Sequence, residues 1–347
     1  MTTRKILCIA LSLLCLTTAA DLSAQKRKAT AKPAAKAKAA TVNFSNCGDI
    51  WSIAADNKNI YVVIAWSNRM AVIDKATGKM TRVASTTGEI NGVVTHGNNC
   101  YYSTTGGGIF RYDSATGLSE ATAFHPDGDS PAAVDCGALA ISPDGRYLKY
   151  SRCVYDLELK KMVMNARDGR QCAVNNLGGV YLTDPDVLYE PLGSDAYNIC
   201  QDNQVCGYIF SDPVTTDAFY CCEDGLWRTP QVPQPDGAME KMGVLDPLKV
   251  ECISRDTEGN FLLGLKDGVA VGGKNITDPL TLLTPLKTGV KSYGMDVDLK
   301  SCNIILPDGQ GNIIAASKYA GLMVIYNAAG LKGYGAMAGK ATSFNWN

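Results

Sequence analysis

Along residues 41–347 the apolar positions come in short runs set off by clusters of Asp, Asn and Gly, the pattern of strands joined by tight turns. One form recurs: Ala71-Val72-Ile73-Asp74 before Lys75-Ala76-Thr77-Gly78, and Ile109-Phe110-Arg111-Tyr112-Asp113 before Ser114-Ala115-Thr116-Gly117. The Asp can accept backbone N–H bonds across the turn, and the following Gly takes the positive φ that closes a hairpin. Val154-Tyr155-Asp156 and Val324-Ile325-Tyr326-Asn327 are weaker copies. Upstream of each lies another pair of apolar runs with its own turn, at residues 56–59, 96–99, 143–146 and 308–312. Four short strands per unit predict the blade of a propeller.

Asp74, Asp113 and Asp156 follow one another at intervals of about 40 residues, and four more such periods fit before Asn327. The expectation is therefore an all-β chain closed as a seven-bladed β-propeller. Residues 256–271 supply a regular sixth blade and 218–228 a fifth. Residues 176–206 carry only a poor signature for a fourth, so six blades plus an insertion is the alternative. Short apolar segments at 41–44 and 342–346 flank the whole region, and one is expected to complete a blade begun by the other, removing an exposed edge.

The N-terminal stretch differs in kind. Arg4 and Lys5 precede an apolar run over residues 6–20, and Leu22-Ser23-Ala24 resembles a cleavage site, so residues 1–24 read as a secretory signal. Diluted by Ser12, Thr17 and Thr18, the run falls short of the roughly 20 residues a spanning helix needs. Residues 25–40 are Ala, Lys, Pro and Thr with nothing large to bury, a solvated tether. The expected organisation is signal 1–24, tether 25–40 and one propeller domain 41–347, exported to the periplasm or beyond, with no transmembrane segment.

The net charge of −1 hides a division. Arg4, Lys5 and the tether's Lys and Arg residues face only Asp21 in the first part of the chain, which leaves the body acidic. An acidic body excludes a nucleic-acid surface, because neutralising phosphates needs a basic face.

The residues Ile253-Ser254-Arg255-Asp256-Thr257-Glu258-Gly259-Asn260-Phe261-Leu262-Leu263-Gly264-Leu265, together with Gly311-Asn312-Ile313-Ile314-Ala315-Ala316-Ser317, resemble the repeats of bacterial periplasmic regulator-type propellers. The turn from Asp74 to Lys79 resembles the blade turn of YncE-like and quinoprotein-like propellers. This resemblance spans roughly residues 43–334 and implies architecture, naming no ligand. The membrane helix and kinase module of the sensor families have no counterpart in the sequence, a departure that argues against sensing with direct signalling. Asp113-Ser114-Ala115 also resembles the short O-glycosylation sequence of some Bacteroidetes.

Chemistry-bearing motifs are sparse. With 2 His and no Cys-x-x-Cys, His-Glu-x-x-His, Gly-x-Ser-x-Gly or Walker loop, the common signature-bearing enzymes lose support. Of the 13 Cys, several lie inside predicted strands and are expected as buried thiols, with one or more disulfides as the alternative that export permits. Cys221 and Cys222 should point to opposite faces of their strand. Asp127 and Asp129, in His125-Pro126-Asp127-Gly128-Asp129-Ser130, are the candidates for a Ca2+ loop, but the later ligands of a full loop are missing and a polar turn is the preferred reading. No cofactor is expected.

Propeller ligands meet the loops over the central channel, so the loops between second and third strands supply the candidate binding residues: Trp66, Arg69, Arg152, Lys266, Asp267, Lys318 and Tyr319. Aromatics beside cations suit a carboxylate or an acidic sugar. The first functional reading is a non-catalytic binding module for a protein or glycan partner. The second is a hydrolase or lyase on a glycan or cell-surface substrate, using carboxylates at the channel. A quinone- or metal-dependent dehydrogenase comes third, because repeated Trp docking turns are missing.

Overall fold

The computed structural model describes residues 32–33, 40–122, 124, 139–167, 169, 171–184, 186–200, 206–237, 239–283, 286–327 and 341–344. The chain divides into two units, Met1–Lys32 and Pro33–Asn347, and everything that follows concerns the second. The expected signal, most of the tether, Asp127 and Asp129 lie outside the described residues.

Seven small antiparallel sheets follow one another as the blades of a propeller. Blade 1 covers residues 50–84, blade 2 90–121, blade 3 140–165, blade 4 171–198, blade 5 206–241 and blade 6 250–283. Blade 7 covers 304–327 and is completed by two further strands. Ala40–Asn43 pairs antiparallel with Leu322–Asn327 on one side and parallel with Ala341–Ser343 on the other. Both ends of the propeller sequence therefore lie in one sheet, and the expected closure is found with both segments contributing.

Each sheet is packed on both faces. Among the described residues, seven apolar clusters fill the seven spaces between neighbouring blades, from Ile50, Ile60, Ile314 and Ile325 between blades 1 and 7 to Cys252, Leu262, Ile313 and Val324 between blades 6 and 7. Two-sided burial explains why the inner strands read as nearly unbroken apolar runs. Asn59–Ile64 and Phe261–Leu265 are buried at every position. The outermost strands face water, and Leu118–Ala121 is exposed throughout.

The turns form as their sequences require. Asp74 accepts the Thr77 backbone N–H at 2.7 Å, and Gly78 closes the hairpin at φ 69°. Asp113 accepts Ala115 N–H at 2.8 Å. At the same end of the blades, the turns between first and second strands repeat one device. Asp56 accepts the N–H of Lys58 and Asn59, Asp256 those of Glu258 and Asn260, and Asp308 those of Gln310 and Asn312, at 2.7–2.9 Å.

Blade 4 begins at Gln171–Val174, earlier than its weak sequence signature, and ends in a strand of two residues, Tyr197–Asn198. Seven blades form, so the six-blade alternative falls. An added element exists nonetheless: a hairpin of Leu286–Ser292 and Met295–Leu299 stands between blades 6 and 7, turning through Tyr293 and Gly294, both at positive φ.

Candidate functional site

The first strand of each blade lines the axis. Together they enclose a channel cavity of about 540 Å³, with Trp51, Val93, Ala140, Cys172, Ile209, Ser254 and Ile304 as one lining residue from each blade. Its wall mixes apolar side chains with hydroxyls, the amides of Gln171 and Asn303, His96 and the cations Arg255 and Lys318, and no carboxylate is among the described residues lining it.

At one end, where second strands hand over to third strands, the blades carry a shared irregularity. Register shifts between Ile50 and Ser52, Ile90 and Gly92, Cys206 and Tyr208, and Val250 and Cys252 place Trp51, Asn91, Gly207 and Glu251 as the extra residue of a β-bulge. A bulge re-aims its side chain, so this position decides what each blade contributes to the mouth. Blade 5 contributes nothing there. A Cβ on Gly207 would meet only the Cys221 carbonyl, at 3.9 Å.

Beside that gap lies a second cavity of about 720 Å³, bounded by blades 5 to 7 and by Gln171 at the start of blade 4. Gln171, Asn303 and Lys318 line both cavities, so the second opens into the channel. Three lysines come to its rim from separate turns. Lys249 follows a short 3-10 turn, Gly243–Leu248, and is held at φ 51°. Its carbonyl accepts Lys266 N–H at 3.2 Å, and the Lys266 carbonyl accepts Ser301 N–H at 2.7 Å, which ties the three segments together. Lys318 donates its backbone N–H to Asn303 Oδ1 at 3.3 Å.

Glu251 sits among these cations. Its Oε2 accepts a hydrogen bond from the Asn303 side-chain amide, linking blade 6 to blade 7. Burial raises the Glu251 carboxyl above its usual range; Lys266 opposes the shift and Asp267 reinforces it. The rim thus gathers three ammonium groups, one half-buried carboxylate of weakened acidity, the exposed Glu223, an amide pair and the exposed Tyr319 ring. Such a rim can bind an anionic group by charge-assisted bonds.

Of the candidate residues read from the sequence, Lys266, Lys318 and Tyr319 come together at this cavity. Trp66, Arg152 and Asp267 occupy the expected connections and Arg69 opens the third strand of blade 1, but none of the four lines either cavity. Trp66, 74% exposed at φ 57°, packs edge-on against Trp51 with ring centroids 4.8 Å apart. Lys249, Glu251, Asn303 and Gly207 were not legible. Their position depends on bulges and on a left-handed residue, and neither leaves a mark in an apolar–polar pattern.

Nine of the ten cysteines among the described residues are buried, and Cys47 is half-buried. Cys221 and Cys222 enter different apolar clusters, on opposite faces of their strand as expected. No grouping of three or more metal-ligating side chains occurs among the described residues. No helix among them is long and apolar enough to cross a membrane.

No family model matches the chain, and no curated protein does. Solved structures do. The chain is similar to the extracellular domain of a protein named as a hybrid two-component system from Bacteroides thetaiotaomicron, with TM-score 0.59 and 15% identity over 84% of this chain and 39% of that one. A second such extracellular domain from the same organism gives TM-score 0.55 and 13% identity over 81% and 40%. A protein of unknown function, also from B. thetaiotaomicron, gives 0.51 and 14% over 81% and 69%. The chain spans about two-fifths of the length of the first two. At these identities the likeness is one of fold, and it agrees with the β-propeller that the repeats predict.

Proposed function

We propose that the protein is an exported, non-catalytic binding module that holds an acidic group of a protein or glycan partner at the channel mouth. The observation that carries this reading is the convergence of Lys249, Lys266 and Lys318 on one cavity beside Tyr319, in a body that is otherwise acidic. A cationic rim over an open cavity concentrates anionic ligands and orients them. The solved neighbours, as extracellular domains, accord with a receptor-like role outside the cytoplasm.

Calorimetric titration with uronic-acid oligosaccharides, neutral oligosaccharides and an acidic peptide tests it. We expect an acidic probe to bind and a neutral one not to. The double variant Lys266→Ala/Lys318→Ala should weaken binding at least about tenfold while changing stability by less than about 1 kcal/mol, as expected for one exposed and one half-buried surface charge. Gly207→Leu, which fills the gap in blade 5, should block the same site. Equal binding by wild type and both variants overturns the reading.

The carboxyl of Glu251, with acidity weakened by burial, favours a second reading as a hydrolase or lyase on an acidic glycan. Turnover of the bound oligosaccharide, lost in Glu251→Gln, would replace the binding-module reading.

A further inference from the structure

Directly beneath the Glu251–Asn303 pair lie their chain neighbours, Cys252 and Cys302, and both are wholly buried between blades 6 and 7. Cys252 starts from the first strand of blade 6. Cys302 lies where the chain leaves the added hairpin, and its N–H donates to the Leu265 carbonyl at 3.0 Å. Cys252 Sγ approaches the Cys302 carbonyl at 3.1 Å. Strand position Gly264, opposite Cys252, shows what the pair requires. A Cβ there would meet Cys252 Sγ at 2.3 Å and Cys302 Sγ at 3.1 Å. The two sulfurs share the volume that a side chain would take, in the middle of a strand otherwise filled by Phe261, Leu262, Leu263 and Leu265.

We propose that Cys252 and Cys302 are a disulfide pair, joined when the chain folds in the presence of a disulfide oxidant, so that blade 6 is bonded to blade 7 under the binding mouth. The proposal draws on the export reading only for where the oxidant is met. The chemistry is thiol–disulfide exchange. One thiolate displaces a sulfur of the oxidant to give a mixed disulfide, and the second thiolate then displaces the oxidant's remaining sulfur. One Cys252–Cys302 bond forms, one oxidant disulfide breaks, and the two oxidant sulfurs leave as thiols. Burial raises the Cys252 thiol well above its ordinary value. An oxidant cannot reach either sulfur once the blades have met, so the bond forms before blades 6 and 7 close. Cys206 and Cys222 also face each other, but within one sheet whose strands already pair there. The Cys252–Cys302 bond, by contrast, joins blade 6 to the segment that enters blade 7.

The test refolds the denatured, reduced full chain in a glutathione redox buffer, traps free thiols with N-ethylmaleimide and maps peptides without reductant. We expect a linked Cys252–Cys302 peptide, and a melting temperature higher on the order of 5 °C than that of the chain refolded in excess reductant. Cys302→Ser should abolish both the linked peptide and the difference. Full maleimide labelling of both residues, or linkage of either to another cysteine such as Cys222, overturns the proposal. The same mapping on chain expressed with its leader, quenched in the cell, examines export separately.

Discussion

The two ends of the ring are built on different principles. At the turn end, where first strands pass to second strands, polar groups are buried and satisfied. Arg255 meets Asp212 through two bonds of 2.6 and 2.8 Å, donates to the carbonyls of Gly259 and Lys274, and lies 3.5 Å from the Phe261 ring centroid. Burial alone would raise the Asp212 carboxyl, yet Arg255 and the neighbouring donors hold it below the ordinary range. Lys75 is likewise buried, and its ammonium donates to the carbonyls of Asp56 in blade 1 and Asp308 in blade 7 across the closure seam. At the mouth end the polar groups are half-open, the backbone is bulged, and Gly207 leaves a gap. One end fixes the blades in their circle, which leaves the other free to present chemistry that contributes little to stability.

The contrast can be broken most directly at Arg255. Arg255→Ala strands the Asp212 carboxylate in the interior and should cost about 3–5 kcal/mol, read by urea denaturation; a loss below about 1 kcal/mol would show that the turn end does not hold the ring. Lys75→Met leaves two carbonyls of neighbouring blades without their donor and should cost about 2 kcal/mol in the same measurement. The smallest effect belongs to the mouth. Because the Glu251 carboxyl is raised, it gains its proton above the usual carboxylate range as pH falls, which removes a negative charge from the rim. Binding of an acidic ligand should therefore tighten from pH 8 towards pH 5, and Glu251→Gln, which keeps an oxygen for the Asn303 amide, should flatten that slope. An unchanged slope in the variant would assign the titration elsewhere.

The turn end was the more legible in sequence. Asp56, Asp256 and Asp308 announce their turns because a short acidic side chain followed by Asn or Gly has few other uses between apolar runs. The blades were legible for the same reason, except blade 4, whose turns carry no such Asp and whose last strand is two residues long. The mouth was legible only where a cation falls in a loop between second and third strands, as Lys266 and Lys318 do. Glu251 and Asn303 sit beside cysteines at strand starts, where local sequence gives no sign that a bulge re-aims Glu251 or that the Asn303 amide meets it. The hairpin at 286–299 was missed because its alternating pattern matches that of any blade strand.

The closing strand has a consequence for how the molecule comes into being. Ala40–Asn43 is gripped between Leu322–Asn327 and Ala341–Ser343, so the pairing that completes the circle joins some of the first residues of the propeller to be synthesised with the last. Six blades can stack as they emerge, but an unpartnered strand and an open edge persist until the end, and damage to either extremity injures the same sheet.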